Sequence, residues 1–119
     1  MVTFGMSLRK EEMRSPPDIF RAAANNNVKE LEFALSDGQS LDWMHTDLYR
    51  MTPMHIACSR KSVDFLYAAM NEAFNPWVRD SNGRISMDYA VAEGLEDIAD
   101  RLLERLYPKN SDGRVIMPF

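Results

Sequence analysis

Apolar side chains recur along this chain at helical spacing, in short stretches that polar turns separate. Met54, Ala57 and Cys58 form one stripe, which lies on a single face if the segment is helical. A second stripe runs over residues 65–70 at a spacing that again marks one helical face. Asn82-Gly83 follows and is a strong tight-turn signal. The pattern predicts pairs of short helices joined by turns.

The turn inside each predicted pair needs a residue that tolerates the left-handed backbone region. Gly94 stands there in the third pair and Asn26 in the first. The second pair has Lys61, for which we expect a penalty of about 1 kcal/mol. At the end of the second helix, the register gives Gly38 in the first pair and Ala73 in the second.

One hexapeptide, Thr52-Pro53-Met54-His55-Ile56-Ala57, carries the start of the best-defined helix. Thr52 suits a helix N-cap, because its hydroxyl can accept a hydrogen bond from an unpaired amide of the first turn. Pro53 suits the first helical position, where its missing N–H leaves no bond unmade.

The hexapeptide repeats with a period of 33 residues. Met87 and Ala90 stand 33 residues after Met54 and Ala57, and an Asp-x-x-Gly-x segment precedes the copy at residues 80–84. A looser copy begins near Ile19. From Pro17 to Thr52 is 35 residues, and the surplus of two fits between Asp42 and Asp47.

This periodic motif resembles the ankyrin repeat, whose signature is T-P-L-H-x-A. The resemblance implies an all-α solenoid of helix-turn-helix units linked by hairpin loops. We assign repeats to about 17–51, 52–84 and 85–107, within a repeat domain of residues 17–108. Residues 1–16 and 109–119 then form N-terminal and C-terminal tails. The resemblance further implies a protein-binding module and no enzyme.

Composition narrows the function classes further. The chain has 119 residues, a net charge of −4 and one cysteine. An acidic balance repels phosphate backbones, so we expect no direct nucleic-acid binding. There is no apolar run long enough to cross a membrane and no apparent secretory signal, and a lone cysteine fits a reducing compartment. We therefore expect a cytoplasmic, intracellular protein that does not bind membranes.

Candidate chemistry is sparse. His55 and Cys58 stand three residues apart on one predicted helix, but a structural zinc site takes four ligands. The only other histidine is His45, and there is no second cysteine. A buried cysteine is also inert as a nucleophile. We expect no metal, no cofactor and no catalytic residue, and the resemblance gives His55 and Cys58 structural roles.

In ankyrin proteins the partner usually lies along the side formed by the hairpin tips and the first helix of each repeat. The segment Leu48-Tyr49-Arg50-Met51 falls at such a tip and carries residue types enriched at interfaces. The alternative is that Trp43 and Leu48 are buried under the loop. The residues that we expect to contact a partner are Trp43, His45, Leu48, Tyr49, Met51, Ser59, Arg60, Asn82, Arg84, Tyr89 and Glu93.

Two interpretations of the biological role remain open. The first is a small adaptor, or an inhibitor that blocks a larger protein, such as a viral or host-directed antagonist. The alternative is a structural subunit or homodimer, assembled through the loop and the apolar C-terminal stub at residues 115–119. The partner itself cannot be identified from the chain, because a fold carries no function by itself.

Overall fold

A computed structural model describes residues 15–108 of the chain. This part contains six helices in three consecutive pairs, as the sequence predicts. Their bounds are α1 Ile19–Ala24, α2 Val28–Ser36, α3 Pro53–Ser59, α4 Val63–Ala69, α5 Ser86–Ala92 and α6 Glu96–Leu106.

Helix α3 begins as the hexapeptide predicts. The Thr52 hydroxyl accepts a hydrogen bond from the His55 amide at 3.3 Å, and His55 Nδ1 accepts one from the Thr52 amide at 3.0 Å. Pro53 occupies the first helical position. Two amides that the helix cannot pair internally are thus satisfied by side chains, which fixes where α3 starts.

The first helices of the three pairs, α1, α3 and α5, pack side by side in one row. Their contacts are made largely by small side chains. Ala23, Ala57 and Ala90 are wholly buried. Without larger side chains between them, the helix axes can approach closely, and consecutive pairs stack into one continuous core.

The second helices supply the larger core residues. Phe65, Leu66 and Ala69 of α4 are wholly buried and Met70 is partly buried, which confirms the predicted stripe. Leu31 of α2 and Leu102 of α6 occupy similar positions, at 1% and 0% exposure.

The predicted left-handed positions are confirmed in all three pairs. The backbone φ is 55° at Asn26, 56° at Lys61 and 75° at Gly94. Asn26 also joins two repeats, because its side-chain oxygen accepts a hydrogen bond from the Phe65 amide at 2.8 Å. Ser62 does the same through its hydroxyl, which donates to the Ala23 carbonyl at 2.6 Å.

The ends of the second helices agree with the register in only one case. Gly38 follows the cap of α2 with φ 86°. The assignment of Ala73 to the equivalent position of α4 was wrong, because α4 ends at Ala69 and is capped by Met70. The chain leaves α4 through short turn hydrogen bonds at Asn71 and Glu72, which need no left-handed residue.

We predict that Lys61→Gly stabilises the protein. Lys61 holds a left-handed conformation that glycine adopts without steric strain, and its ion pair with Glu93, at 3.9 Å, is exposed and contributes little. The expected gain is about 0.5–1 kcal/mol in the free energy of unfolding, measured by urea denaturation. The matched control is Lys29→Gly in the first turn of α2, where glycine has no conformational advantage and should destabilise by up to about 1 kcal/mol. Equal losses in both variants would contradict the strain argument.

Candidate functional site

The loop between the first two helix pairs folds as a hairpin, which we call hairpin 1 (residues 45–51). His45 and Met51 form an antiparallel bridge, with a 2.9 Å hydrogen bond from the His45 amide to the Met51 carbonyl. At its tip, Tyr49 and Arg50 both have left-handed backbones, with φ of 53° and 56°. Neither is glycine, so each carries a conformational penalty of about 1–2 kcal/mol.

The corresponding loop before the third pair is hairpin 2 (residues 80–84), where the predicted tight turn is present. The Asp80 amide donates to the Arg84 carbonyl at 3.0 Å, and Gly83 has φ 76°. The Asp80 carboxylate accepts hydrogen bonds from the amides of Asn82 and Arg84 and from the Tyr89 hydroxyl. Burial opposes the ionisation of Asp80, but these hydrogen bonds outweigh it and lower the pKa of the carboxyl.

The two hairpins are connected. The Ser81 amide donates to the Tyr49 carbonyl at 2.7 Å, so the tip of hairpin 1 is hydrogen-bonded to hairpin 2. Hairpin 2 is in turn anchored to α3, because His55 Nε2 lies 2.8 Å from the Arg84 carbonyl.

These contacts define the protonation state of His55. Nδ1 accepts from the Thr52 amide, so the proton sits on Nε2 and is donated to the Arg84 carbonyl. His55 is 1% exposed. Burial lowers the pKa of His55 below its ordinary value of 6.5, against the opposing effects of the Arg84 carbonyl and the Asp80 charge.

A groove lies between α1, α3 and hairpin 1, and we call it the α1–α3 groove. Its volume is about 340 Å³. Two of its lining side chains, Phe20 and His45, make an edge-to-face ring contact at 4.9 Å between centroids. The lining residues are Asp18, Phe20, Arg21, Ala24, His45, Leu48, Met51, Ile56, Ser59 and Arg60.

Two charged groups of the groove already have partners in the fold. Asp18 caps α1 and accepts from the amides of Phe20 and Arg21. The Arg21 guanidinium forms an ion pair with the buried carboxylate of Glu30, which also accepts from the Asp18 amide at 3.0 Å. Hydrogen bonding to Glu30 raises the pKa of Arg21. This pair ties α2 to the start of α1 and shapes one wall of the groove.

The structure brings together part of the predicted binding set. His45, Leu48, Met51, Ser59 and Arg60 line the α1–α3 groove. Tyr49 stands at the tip of hairpin 1 and is 65% exposed.

Trp43 lines a neighbouring cleft together with Gln39 and residues of the 15–21 segment. Trp43 and Leu48 are 48% and 43% exposed, so neither is buried under the loop.

The remaining predicted residues lie outside the groove, on hairpin 2 and α5. Arg84 stacks over the Tyr89 ring at 5.8 Å from its centroid, and Tyr89 is tied to Asp80. Glu93 pairs with Lys61. Asn82 is exposed on the turn itself. These side chains form a second, more polar surface next to hairpin 1.

Phe20 was not among the predicted binding residues, although it forms a wall of the groove. A signal was available in the sequence. Phe20 lies in the predicted first helix of the first repeat, and the resemblance places the first helices on the partner-facing side. Phe20 belongs to the first repeat, whose sequence matches the hexapeptide least well, so its position within the repeat is the hardest to assign.

The residues with potential for chemistry belong to the scaffold. Both ring nitrogens of His55 are hydrogen-bonded, and burial raises the pKa of Cys58 to about 12. Among residues 15–108 there is no group of three or more histidine, cysteine, aspartate or glutamate side chains placed to hold a metal ion. None of the helices in that same range is long and apolar enough to span a membrane. The C-terminal stub at 115–119, which the homodimer interpretation uses, lies outside the described residues.

Comparison with known protein families agrees with the three stacked helix pairs. The family model described as ankyrin repeats (3 copies) matches residues 19–112. A search of curated proteins found no match. The chain therefore belongs to the ankyrin-repeat family, and the all-α solenoid predicted from the hexapeptide is confirmed. Ankyrin repeats generally mediate protein–protein interaction.

We predict that folding stability falls as the pH is lowered through about 6.5. The unfolded chain binds a proton at His55 there, whereas the folded chain, whose His55 pKa is lower, does not. The low pKa of Asp80 adds a further loss only near and below its ordinary value of 3.8. Urea denaturation between about pH 8 and 5 measures the effect.

His55→Gln serves as the control for this experiment. It should be less stable at neutral pH and should lose less stability than the native chain between about pH 7 and 5. NMR of the imidazole nitrogens should show the proton of His55 on Nε2, and a His45→Asn variant assigns the signal by leaving one histidine. A constant stability over this range would contradict the burial argument.

Proposed function

We propose that this protein binds another protein through hairpin 1, the residues 43–44 that lead into it and the adjoining α1–α3 groove. It would act as a small adaptor or as an inhibitor that blocks a larger protein. The observation that carries the proposal is the tip of hairpin 1. Tyr49 is held there with a left-handed backbone and with most of its side chain in solvent.

The backbone strain at this tip supports a functional role. Left-handed conformations at residues other than glycine persist only where surrounding contacts enforce them, and they cluster at functional sites. Here the enforcing contacts are the His45–Met51 bridge and the hydrogen bond from Ser81 to the Tyr49 carbonyl. The fold keeps this strained tip although Tyr49 remains 65% exposed.

The chemical character of the surface supports binding to a protein. Trp43, Leu48 and Tyr49 are large apolar or aromatic side chains that stand exposed close together in the sequence. Aromatic anchors with an arginine nearby are typical of the centres of protein interfaces. Arg60, at the end of α3, supplies that arginine at the groove.

The inner surface of the groove supports binding rather than chemistry. Ser59 donates its hydroxyl to the Ile56 carbonyl at 2.9 Å, inside its own helix. His45 Nδ1 accepts from the Asp47 amide at 3.1 Å, inside the hairpin. Both of these polar groups therefore support the local backbone, and the inner wall between them offers a ligand mainly apolar contact.

We predict that a Tyr49→Ala plus Arg60→Ala double variant loses binding and keeps its stability. Both side chains are exposed, and the one hydrogen bond lost, from Arg60 to the Ala24 carbonyl, contributes about 1 kcal/mol, so the thermal midpoint should fall by only a few degrees. The native protein is used to select binders from a displayed library of random peptides of about ten residues. The affinity of each selected peptide is then measured for both proteins and should fall about tenfold or more in the double variant.

The matched control is Lys29→Ala plus Glu32→Ala, which removes an exposed pair on α2 outside the groove. It should retain binding of every selected peptide. Unchanged affinity in the folded Tyr49→Ala, Arg60→Ala variant would overturn the proposal, as would a library that yields no peptide weakened by it.

A further inference from the structure

Building on the proposed function, we infer that the α1–α3 groove selects one class of partner segment. That segment carries a large apolar side chain with an aspartate or glutamate directly beside it. The apolar side chain enters the groove, and the carboxylate lies against the Arg60 guanidinium at its edge.

The size and the apolar walls of the groove explain why the partner segment needs a large apolar side chain. A volume of about 340 Å³ is at the small end of ligand pockets and fits one or two large side chains. Phe20, Leu48, Met51 and Ile56 provide apolar walls from three different elements. An aliphatic or aromatic side chain would gain free energy there in proportion to the apolar area removed from water.

The charges in the groove explain why the partner segment needs an aspartate or glutamate. The Asp18 carboxylate accepts from two amides at the start of α1, where the helix dipole also stabilises it. The Arg21 guanidinium is neutralised by Glu30, whose side chain is 4% exposed. These two groups are thus compensated within the fold and offer little net attraction to a ligand.

Arg60 is different. Its Nε donates to the Ala24 carbonyl at 3.1 Å, which orients the guanidinium along the end of α1. No ion pair joins it to a carboxylate of residues 15–108. The outer nitrogens of a guanidinium held by Nε can bind a carboxylate directly. Among the charged side chains that line the groove, Arg60 is therefore the cation without a carboxylate partner in residues 15–108, in a chain whose net charge is −4.

The distribution of acid elsewhere strengthens this selectivity. Acidic side chains are concentrated on α6, away from the groove. They are Glu96, Asp97, Asp100 and Glu104. Acidic side chains outnumber the arginines of α6 by four to two, so an acidic segment is disfavoured at α6 and favoured at Arg60.

The test uses three synthetic peptides that share a Leu-Phe core flanked by glutamate, by glutamine or by lysine. Each is titrated into the ¹⁵N-labelled full chain and followed by NMR. The glutamate peptide should shift the amide signals of Phe20, Leu48 and Arg60, and should bind at least about threefold more tightly than the glutamine peptide. The lysine peptide should bind most weakly, and added salt should reduce these differences.

Arg60→Gln should abolish the preference for glutamate over glutamine while leaving the apolar contribution. The matched control, Lys29→Gln, removes the same charge from α2 and should keep the preference. The inference is overturned by a lysine peptide that binds as tightly as the glutamate peptide, by shifts confined to other surfaces, or by no shift at about 1 mM glutamate peptide. If the peptide library instead yields neutral or basic binders that need Tyr49 and Arg60, the proposed function stands and this inference fails.

Discussion

The proposed binding surface depends on one buried side chain, His55. Its Nδ1 pairs with the Thr52 amide and fixes the start of α3, while its Nε2 donates to the Arg84 carbonyl in the following repeat. Arg84 belongs to hairpin 2, and hairpin 2 holds the strained tip of hairpin 1 through Ser81. The imidazole therefore links the start of α3 to hairpin 2 and, through hairpin 2, to hairpin 1. Since only a neutral ring can make both bonds, the arrangement depends on the low pKa that burial imposes.

Further polar bonds between neighbouring repeats explain why the stack is a single body despite helices of only six to eleven residues. Helices so short are marginal in isolation. Ser62 and Arg60 each donate a side-chain hydrogen bond to a carbonyl at the end of α1, at Ala23 and Ala24. Those carbonyls lack partners inside the helix, so the second repeat caps the first. The interface between repeats is thus both the hydrophobic core and the means of helix termination, and a repeat separated from its neighbour would lose both.

The roles that the sequence predicts correctly are those that depend on neighbouring residues. The start of α3 and the left-handed position of Lys61 depend on a few neighbouring residues and on the period, and both are confirmed. The sequence does not predict roles that depend on the third dimension. The pairing of Arg21 with Glu30 and the groove wall at Phe20 arise from the packing of α1 against α2 and hairpin 1. The surplus residues before Thr52 interrupt the register there, so the period could not indicate which backbone conformation the tip adopts.

The backbone contacts that strain the tip of hairpin 1 also hold the residues proposed to bind a partner. Two left-handed residues raise the free energy of the folded state by about 2–4 kcal/mol, an appreciable fraction of the stability of a small domain. Hydrogen bonds already fix the backbone that carries Leu48 and Tyr49. Little loop entropy would therefore be lost when a partner binds. Replacing the tip by glycines would relieve the strain and also free the loop. Such a change should stabilise the chain and weaken binding together, because the same backbone contacts determine both.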